Sequence, residues 1–421
     1  MGESGAKGKK LASDTHLRKN NCHAGTRQRR RRRTGNARRT GFAGAANAQV
    51  VTQPLGSEPS FNWRLGMDLV HDDNVYRTAA LEESDGYLTV APELAWYGFK
   101  GAHQFDVLLS GALRRYRDQD VLDTDEWRFR GHALLDHSAR LNTDYTLGFE
   151  DGVEQPGETD QVQLPGREPN DFERWNGAWV ITYGADDAAG QLKARVRLSE
   201  VNYLNNDQEF RDNESTGFTG TFYYRVAPRT RLLLEVDYTD YDFSETDAFD
   251  SNQSGDQKRY LGGVTWEATA NTTGEFRIGY RDRSFDDPNF EDLSGLALDL
   301  SMTWTPSDLT TVRVKANEDN QSSAVQGVGG YVRTGFGVDL TRDTGARSRL
   351  VADASFETQE FEGGVDRDDD RWSAGVGFEY DLTSRLSTRV EYRYEDRDSN
   401  FALFNFEANV IMLSFTLSPP V

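Results

Sequence analysis

The chain of 421 residues contains one cysteine, Cys22, which excludes an intramolecular disulfide framework and a cysteine-built metal site. Only six histidines are present, and none has the spacing of a zinc motif such as HExxH. No run of 18 apolar residues occurs, so no transmembrane helix is encoded. Hydrophobic residues make up 36% of the chain, which is little for a protein of this length with one thick core.

Other motifs that carry chemistry are missing as well. His132 and His137 are five residues apart, so on a strand they lie on opposite faces. The acidic runs Asp286-Asp287 and Asp368-Asp369-Asp370 lack the spacing and the glycine of a calcium loop, and we interpret them as solvated loop charge. No glycine-rich phosphate loop opens a helix. The sequence therefore predicts no catalytic, cofactor or metal site.

Charge is distributed unevenly along the chain. The formal net charge is −21, yet residues 1–49 contain 13 Lys and Arg against 2 Asp and Glu, and the remainder contains 35 against 67. A body this acidic disfavours nucleic acid as its partner. We therefore divide the chain into a basic segment at 1–49, a linker at 50–60 and an acidic body from residue 61.

The basic segment is densest in QRRRRRTGNARRTGFAGAANAQ, Gln28 to Gln49. Three interpretations are open: a disordered nucleic-acid tail, a nuclear-type address, and a secretion signal. Ala46-Asn47-Ala48 has the small-x-small form of a signal cleavage site, but Gly41 to Ala45 is too short for the apolar region of such a signal. On the third interpretation, a different start codon or reading frame supplies the missing apolar segment.

From Phe61 to Leu417 apolar and polar residues alternate with a period of two, and no helical period of any length is found. The stretch FYYRVAPRTRLLLEVDY, Phe222 to Tyr238, shows the pattern of a hairpin with one apolar and one charged face. We predict 18 strands, with 16 as the alternative number. They lie at 61–70, 86–97, 103–116, 125–137, 140–150, 172–184, 191–203, 215–226, 230–243, 258–269, 273–285, 293–305, 309–318, 330–341, 348–359, 370–381, 385–396 and 405–417.

The connections between these strands alternate between short turns and long acidic loops. Soluble sandwiches and propellers would show repeated domains or four-stranded blades, and neither is visible. Outer-membrane barrels combine an even strand number, short periplasmic turns, long outer loops and an apolar outer face. The sequence therefore predicts an all-β protein, a transmembrane antiparallel up-and-down β-barrel over 61–418 with a tail at 419–421. Its short turns are expected in the periplasm and its acidic loops outside.

On this prediction the apolar face meets lipid and the charged face meets a wet lumen. Seven tryptophans match aromatic girdles: Trp63, Trp96, Trp127, Trp175, Trp266, Trp304 and Trp372. Eighteen charged residues are predicted to line the pore: Arg64, Arg128, Arg130, Lys193, Arg195, Arg197, Arg225, Arg231, Glu235, Arg259, Glu267, Arg277, Arg313, Lys315, Glu379, Arg389, Glu391 and Arg393. Further inward candidates are Asp68, Asp144, Asp237, Glu275 and Asp353.

Two interpretations of the charged face are open. The charges can pair across strands and hold the wall, or basic ladders such as Lys193-Arg195-Arg197 can guide an anionic polymer or solute. A barrel of 16–18 strands is wide enough for an aqueous channel unless loops plug it. In the hairpin around Pro228, Leu234 is expected to face lipid, and Glu235, in a wet lumen, is expected to tolerate substitution.

Four stretches carry a resemblance to a known family: HDDNVYRT, FYYRVAPRTRLLLEVDY, YLGGVTWEATANTTGEFRIGYRDRSFDDP and YRYEDRDSNF. Together they resemble the putative beta-barrel porin 2 family of bacterial outer-membrane proteins over about 61–417. The resemblance implies an association with exopolysaccharide or capsule genes. One departure is the closing strand NVIMLSFTL, which continues into Ser418-Pro419-Pro420-Val421, whereas such barrels usually end in an aromatic residue that the assembly machinery recognises.

These observations lead to three functional hypotheses. The first is a channel in the outer membrane of a Gram-negative bacterium, passing polysaccharide or small polar solutes, with both termini in the periplasm. Its expected partners are outer-membrane lipid and lipopolysaccharide, the barrel assembly machinery and a polysaccharide export apparatus. The second is a non-conducting structural or receptor component of the envelope. The third, an outer-membrane enzyme, would need a Ser and a His facing the same side, and no motif indicates such a pair.

Overall fold

The computed structural model describes residues 59–269, 271–362 and 365–419. The basic segment 1–49, with its signal-peptide interpretation, lies outside the described residues. The strands are β1 (Ser60–Asp72), β2 (Asp85–Lys100), β3 (His103–Tyr116), β4 (Thr124–Ser138), β5 (Leu141–Glu154), β6 (Asn170–Tyr183), β7 (Gly190–Tyr203), β8 (Asn213–Ala227), β9 (Thr230–Phe243), β10 (Gly255–Thr269), β11 (Thr272–Phe285), β12 (Leu293–Ser307), β13 (Thr310–Ser322), β14 (Gly330–Asp343), β15 (Ser348–Glu362), β16 (Asp368–Asp381), β17 (Leu386–Ser399) and β18 (Phe406–Leu417).

Three single-turn 3-10 helices lie in the connections, at Asp120–Leu122, Glu209–Arg211 and Ala402–Phe404. Within the described ranges, no helix is long and apolar enough to cross a membrane.

Every strand pairs antiparallel with its neighbours in sequence, and β1 also pairs with β18 from Leu65↔Leu417 to Asp72↔Val410. The sheet is thus closed into an 18-stranded barrel, which satisfies the backbone groups of both terminal strands. The predicted barrel is confirmed, with 18 strands and not 16. The predicted strand ends agree to within four residues, and the largest differences are at the ends of β5 and β13, where polar residues extend the pairing beyond the apolar band.

The two ends of the barrel differ. At one end the turns are short, and several have only two residues, among them the turn between β2 and β3, where Gly101 has φ +66°. A side chain is disfavoured at that φ, which explains the glycine. At the other end the connections are longer, and the longest runs from residue 155 to residue 169. β1 begins and β18 ends at the short-turn end.

The outer face of the wall is apolar. Leu234 is 68% exposed and has Phe222 and Gly262 as its register neighbours on β8 and β10. The seven predicted girdle tryptophans all occupy this outer register, in two groups. Trp63, Trp96, Trp266 and Trp304 lie toward the short turns, and Trp127, Trp175 and Trp372 lie toward the long loops. Two aromatic bands on an apolar wall are the arrangement of a membrane barrel.

The opposite face is concave. Arg197 on β7 pairs with Asp237 on β9 at 2.8 Å, and Arg393 on β17 pairs with Asp353 on β15 at 2.9 Å. Each pair skips the strand between its members. Since strands lie about 4.8 Å apart, side chains two strands apart meet readily only where curvature brings them together. The charged register therefore lies inside the barrel.

The wall is interrupted between β12 and β13. Their pairing extends from Ser307↔Thr310 only as far as Leu298↔Glu318, so the first residues of β12 have no ladder partner on β13. The Arg281 guanidinium fills this position, bonding the Asn320 side chain and lying 3.5 Å from a Glu318 carboxylate oxygen. Asn320 Nδ2 in turn donates to the Leu293 carbonyl at 3.1 Å. We call this interruption the β12–β13 seam, and polar side chains close it.

Candidate functional site

The structure places seventeen of the eighteen predicted pore residues on the inner register of the wall, and Glu267 lies between Trp266 and Thr269, where the pairing of β10 with β11 shifts. They fall into two groups according to whether an opposite charge lies within 4.0 Å. Ion pairs are made by Arg64, Arg128, Arg130, Arg197, Glu235, Arg259, Arg277, Glu379, Arg389, Glu391 and Arg393. Within the described ranges, no ion pair is found for Lys193, Arg195, Arg225, Arg231, Glu267, Arg313 or Lys315.

The paired group stiffens the wall. Arg393 donates to both carboxylate oxygens of Asp353, at 2.9 and 3.0 Å, and to Glu391 at 3.0 Å. Arg197 donates to Asp237 and also to the Thr219 hydroxyl at 2.6 Å. Charge-assisted bonds of this kind fix the spacing of three adjacent strands. For these residues the geometry favours a structural role over contact with a solute.

Glu235 requires a correction. We expected it to face a wet lumen and to tolerate substitution, but only 8% of its surface is exposed. Its carboxylate accepts a hydrogen bond from Thr221 Oγ1 at 2.7 Å and lies 3.7 Å from Arg277. The alternating pattern gives the face of Glu235 but not its partners, which come from neighbouring strands.

Replacing Glu235 with alanine should therefore destabilise the barrel by about 1–3 kcal/mol, because Thr221 and Arg277 lose a buried partner. Urea unfolding followed by heat-modifiable gel mobility measures this change. Glu267→Ala is the matched control, since Glu267 is an exposed carboxylate near the short-turn end of β10 that makes no ion pair among the described residues. Equal stability of the two variants would contradict the interpretation.

The unpaired group is mostly basic and concentrates on β7 to β9. Lys193 and Arg195 follow one another on the inner register of β7. Arg225 and Arg231 lie directly opposite each other across β8 and β9, near the short turns. Both donate to the carbonyl oxygen of Asp186, Arg231 at 2.5 Å. We call these four residues the basic strip; within the described residues no carboxylate lies within 4.0 Å of it.

Arg313 and Lys315 form a second, weaker basic position on β13. Arg313 is the register neighbour of Asp339, whereas Lys315 faces Gly337. Among the described residues, no group of three or more His, Cys, Asp or Glu side chains has a geometry that could hold a metal ion.

The connection between β5 and β6, residues 155–169, crosses the long-loop end, and we call it the plug loop. Asp160 accepts hydrogen bonds from Ser323 Oγ at 2.6 Å and from the Ala324 amide at 2.9 Å. Ser323 and Ala324 belong to the loop between β13 and β14, which is eight strands away from β5 and β6 in a circle of eighteen. The plug loop therefore spans the mouth and is bonded to its far side.

Three arginines on that far side hold the tip of the plug loop, and we call them the arginine clamp. Arg367 donates to the Asp160 carbonyl at 2.9 Å. Arg397 donates to the carbonyl oxygens of Gly157 and Thr159, at 3.2 and 2.7 Å, and Arg371 also donates to Gly157. All of these acceptors are backbone oxygens. The arginine clamp thus holds the plug loop through its main chain, whereas the Asp160 side chain makes the bonds to Ser323 and Ala324.

Other loops pack around the plug loop. Tyr76, in the loop between β1 and β2, is fully buried against Val75 and Leu122, and its hydroxyl accepts from the Gly166 amide at 3.3 Å. Burial raises the pKa of Tyr76, so the phenol stays neutral. For the neighbouring Arg77 burial opposes the charge, but the carboxylates of Glu395 and Asp72 raise its pKa. The mouth is therefore filled by ordered, mutually bonded loops.

These mouth residues were not predicted as functional. Asp160 and Arg367 lie in loops that were interpreted only as acidic and solvated, yet each is 2% exposed. Arg371 and Arg397 have the inner register of β16 and β17, so their alternation places them inside the barrel. Their contact with the plug loop could not be predicted, because contacts across the mouth produce no periodic pattern in the sequence.

Solved structures that are similar to this chain come from two bacteria. OccK2 (OpdF) of Pseudomonas aeruginosa has 12% identity and a TM-score of 0.48, covering 86% of this chain and 98% of that one. OpdK of the same organism, solved with vanillate, has 10% identity and a TM-score of 0.45, covering 85% and 99%. The siderophore receptor PirA of Acinetobacter baumannii has 8% identity and a TM-score of 0.45, covering 87% and 81%.

The family comparison is more decisive than these distant likenesses. The family model described as putative beta-barrel porin 2 matches residues 61–418, which is the whole barrel. The closed wall of eighteen strands, the two aromatic bands and the inner charged face agree with that assignment. The chain therefore belongs to the putative beta-barrel porin 2 family and is a porin-like β-barrel of the outer membrane.

Proposed function

We propose that this barrel is a passive diffusion channel for small polar solutes and that it prefers anions. The observation that carries the proposal is the basic strip, Lys193, Arg195, Arg225 and Arg231, which faces the lumen and makes no ion pair within 4.0 Å among the described residues. Rings or strips of one charge in a pore attract the opposite ion. Elsewhere on the inner wall most charges are paired, so the strip supplies a local field.

Small solutes fit this proposal better than a polymer does. With the plug loop bonded across the mouth, a polysaccharide in transit would require the loop to withdraw. The expected role in exopolysaccharide export has no support in the structure or in the family match. The plug loop does favour a second candidate, a barrel that is closed at rest and serves the envelope as a structural or receptor component.

The orientation is also part of the proposal. We place the short turns and both barrel termini in the periplasm and the long loops outside, as in barrels of known orientation. The outer wall then contacts outer-membrane lipid and lipopolysaccharide, and insertion requires the barrel assembly machinery. The acidic loops and the tethered plug loop would face incoming solutes.

Neutralising the basic strip should change ion selectivity. The double substitution Lys193→Gln with Arg195→Gln should shift the reversal potential in a salt gradient away from anion preference, because two uncompensated positive charges leave the lumen. Planar-bilayer recordings under a potassium chloride gradient measure the shift.

A charge-balanced control tests whether substitutions elsewhere on the inner wall also change ion selectivity. Arg64→Gln with Glu93→Gln removes an ion pair of 3.5 Å from the same inner wall and leaves the net charge unchanged. The reversal potential should therefore not change. Cation preference in the unaltered barrel would overturn anion selectivity. A folded barrel without conductance at any voltage would instead support the closed structural or receptor role.

A further inference from the structure

Two arginines of the clamp lie directly opposite each other in the wall. Arg371 on β16 is the register partner of Arg397 on β17. Like charges in this position destabilise a sheet. The acceptor that the two guanidinium groups share is the neutral carbonyl oxygen of Gly157 in the plug loop. A neutral acceptor thus occupies a position that suits an anion.

Burial makes this arrangement more costly. Arg397 is 2% exposed, forms no ion pair among the described residues, and has an Nε without a hydrogen-bond partner there. Arg371 reaches a carboxylate only at 3.9 Å, that of Glu357. The third member, Arg367, is neutralised by Asp369. Because charge-assisted hydrogen bonds are roughly twice as strong as neutral ones, a carboxylate would satisfy Arg371 and Arg397 better than the plug loop does.

We infer that Arg371 and Arg397 form a binding site for a carboxylate-bearing solute, which displaces the tip of the plug loop and opens the mouth. The planar guanidinium forks match the two oxygens of a carboxylate. The backbone oxygens of Gly157 and Thr159 hold these donors while the site is empty of solute. This inference rests on the proposed channel function and names the ligand that opens the channel.

The test follows the plug loop directly. A spin label is attached to Leu164→Cys, which is 52% exposed on the plug loop, in a Cys22→Ser background. Sodium glucuronate is compared with glucose and with sodium chloride at matched ionic strength. Only glucuronate should shift the spectrum from the immobilised to the mobile component. Inorganic phosphate, added separately, shows whether the site takes any oxyanion or requires a carboxylate.

Substituted variants show which residues the response of the spin label to glucuronate requires. Arg371→Gln with Arg397→Gln should make the label mobile without ligand and insensitive to glucuronate. Arg349→Gln is the control, because Arg349 pairs with Asp343 and Glu379 near the short turns and should leave the response intact. If the double variant fails to fold, the spin-label spectra of the unsubstituted barrel in glucuronate and in chloride still test whether a carboxylate displaces the plug loop.

The outcomes distinguish a failure of the proposed binding site from a failure of the proposed channel. An unchanged spectrum, or an equal shift with glucose or chloride, would overturn the binding site even if the barrel conducts. A glucuronate-specific shift in a barrel that never conducts would support the site and overturn the proposed channel.

Discussion

Replacing residues 156–168 of the plug loop with a short glycine-serine linker should raise single-channel conductance several-fold. The loop crosses the mouth and is bonded to the opposite side through Asp160 and the arginine clamp. Without it, the remaining lumen of an 18-stranded barrel is wide enough for an aqueous channel. Planar-bilayer recordings in symmetric salt measure the change, and heat-modifiable gel mobility verifies that the barrel has folded.

The matched control shortens a different loop at the same end. The connection between β11 and β12, residues 286–292, is another acidic loop, and within the described structure none of its hydrogen bonds reaches the plug loop. Its shortening should leave conductance nearly unchanged. Similar increases from both deletions would show that crowding by loops in general, and not the plug loop, limits conduction.

Replacing Leu234 with arginine should destabilise the inserted barrel by about 2–4 kcal/mol, the cost of a charge on the lipid face near the midplane. Leu234 is 68% exposed, but in the inserted barrel this surface contacts hydrocarbon. A charge here therefore destabilises the protein, whereas a charge on the exposed surface of a soluble protein contacts water. Urea-dependent unfolding from lipid vesicles measures the loss.

Depth provides the control for this prediction. Val226 continues the exposed, apolar alternation of Phe222 and Tyr224 on β8 but lies at the register shift next to the short turn, and it is 51% exposed. Since the cost of arginine falls to about 0–1 kcal/mol near the interfaces, Val226→Arg should be nearly neutral. Equal losses at the two positions would argue against a membrane boundary between them.

The wall could be predicted from the sequence because its physics is local. A period of two sorts lipid-facing from inward residues at each strand, and the turns between strands carry Pro, Gly and Asn. Hence alternation alone separates Leu234 from Arg231, and the pairing of β8 with β9 places the two residues in alternate registers. The strand number followed from counting, since a closed up-and-down barrel has no crossover that could change the order.

The contents of the lumen could not be predicted in the same way. The environment of Glu235 depends on Thr221 and Arg277, which approach it through pairing and curvature. The bond between Asp160 and Ser323 joins residues 163 positions apart through two loops without periodicity. Such contacts depend on three-dimensional closure of the barrel, and alternation carries no information about them.

The β12–β13 seam gives the barrel a mechanical weak point. Along most of the circumference, separating two strands requires breaking a continuous ladder of backbone hydrogen bonds. At the seam, separation near the long loops requires only that the Arg281 and Asn320 side chains change rotamer. The cylinder is therefore not uniformly stiff: under tension on the long loops, the strands beside the seam would separate more readily than strands joined by a complete ladder.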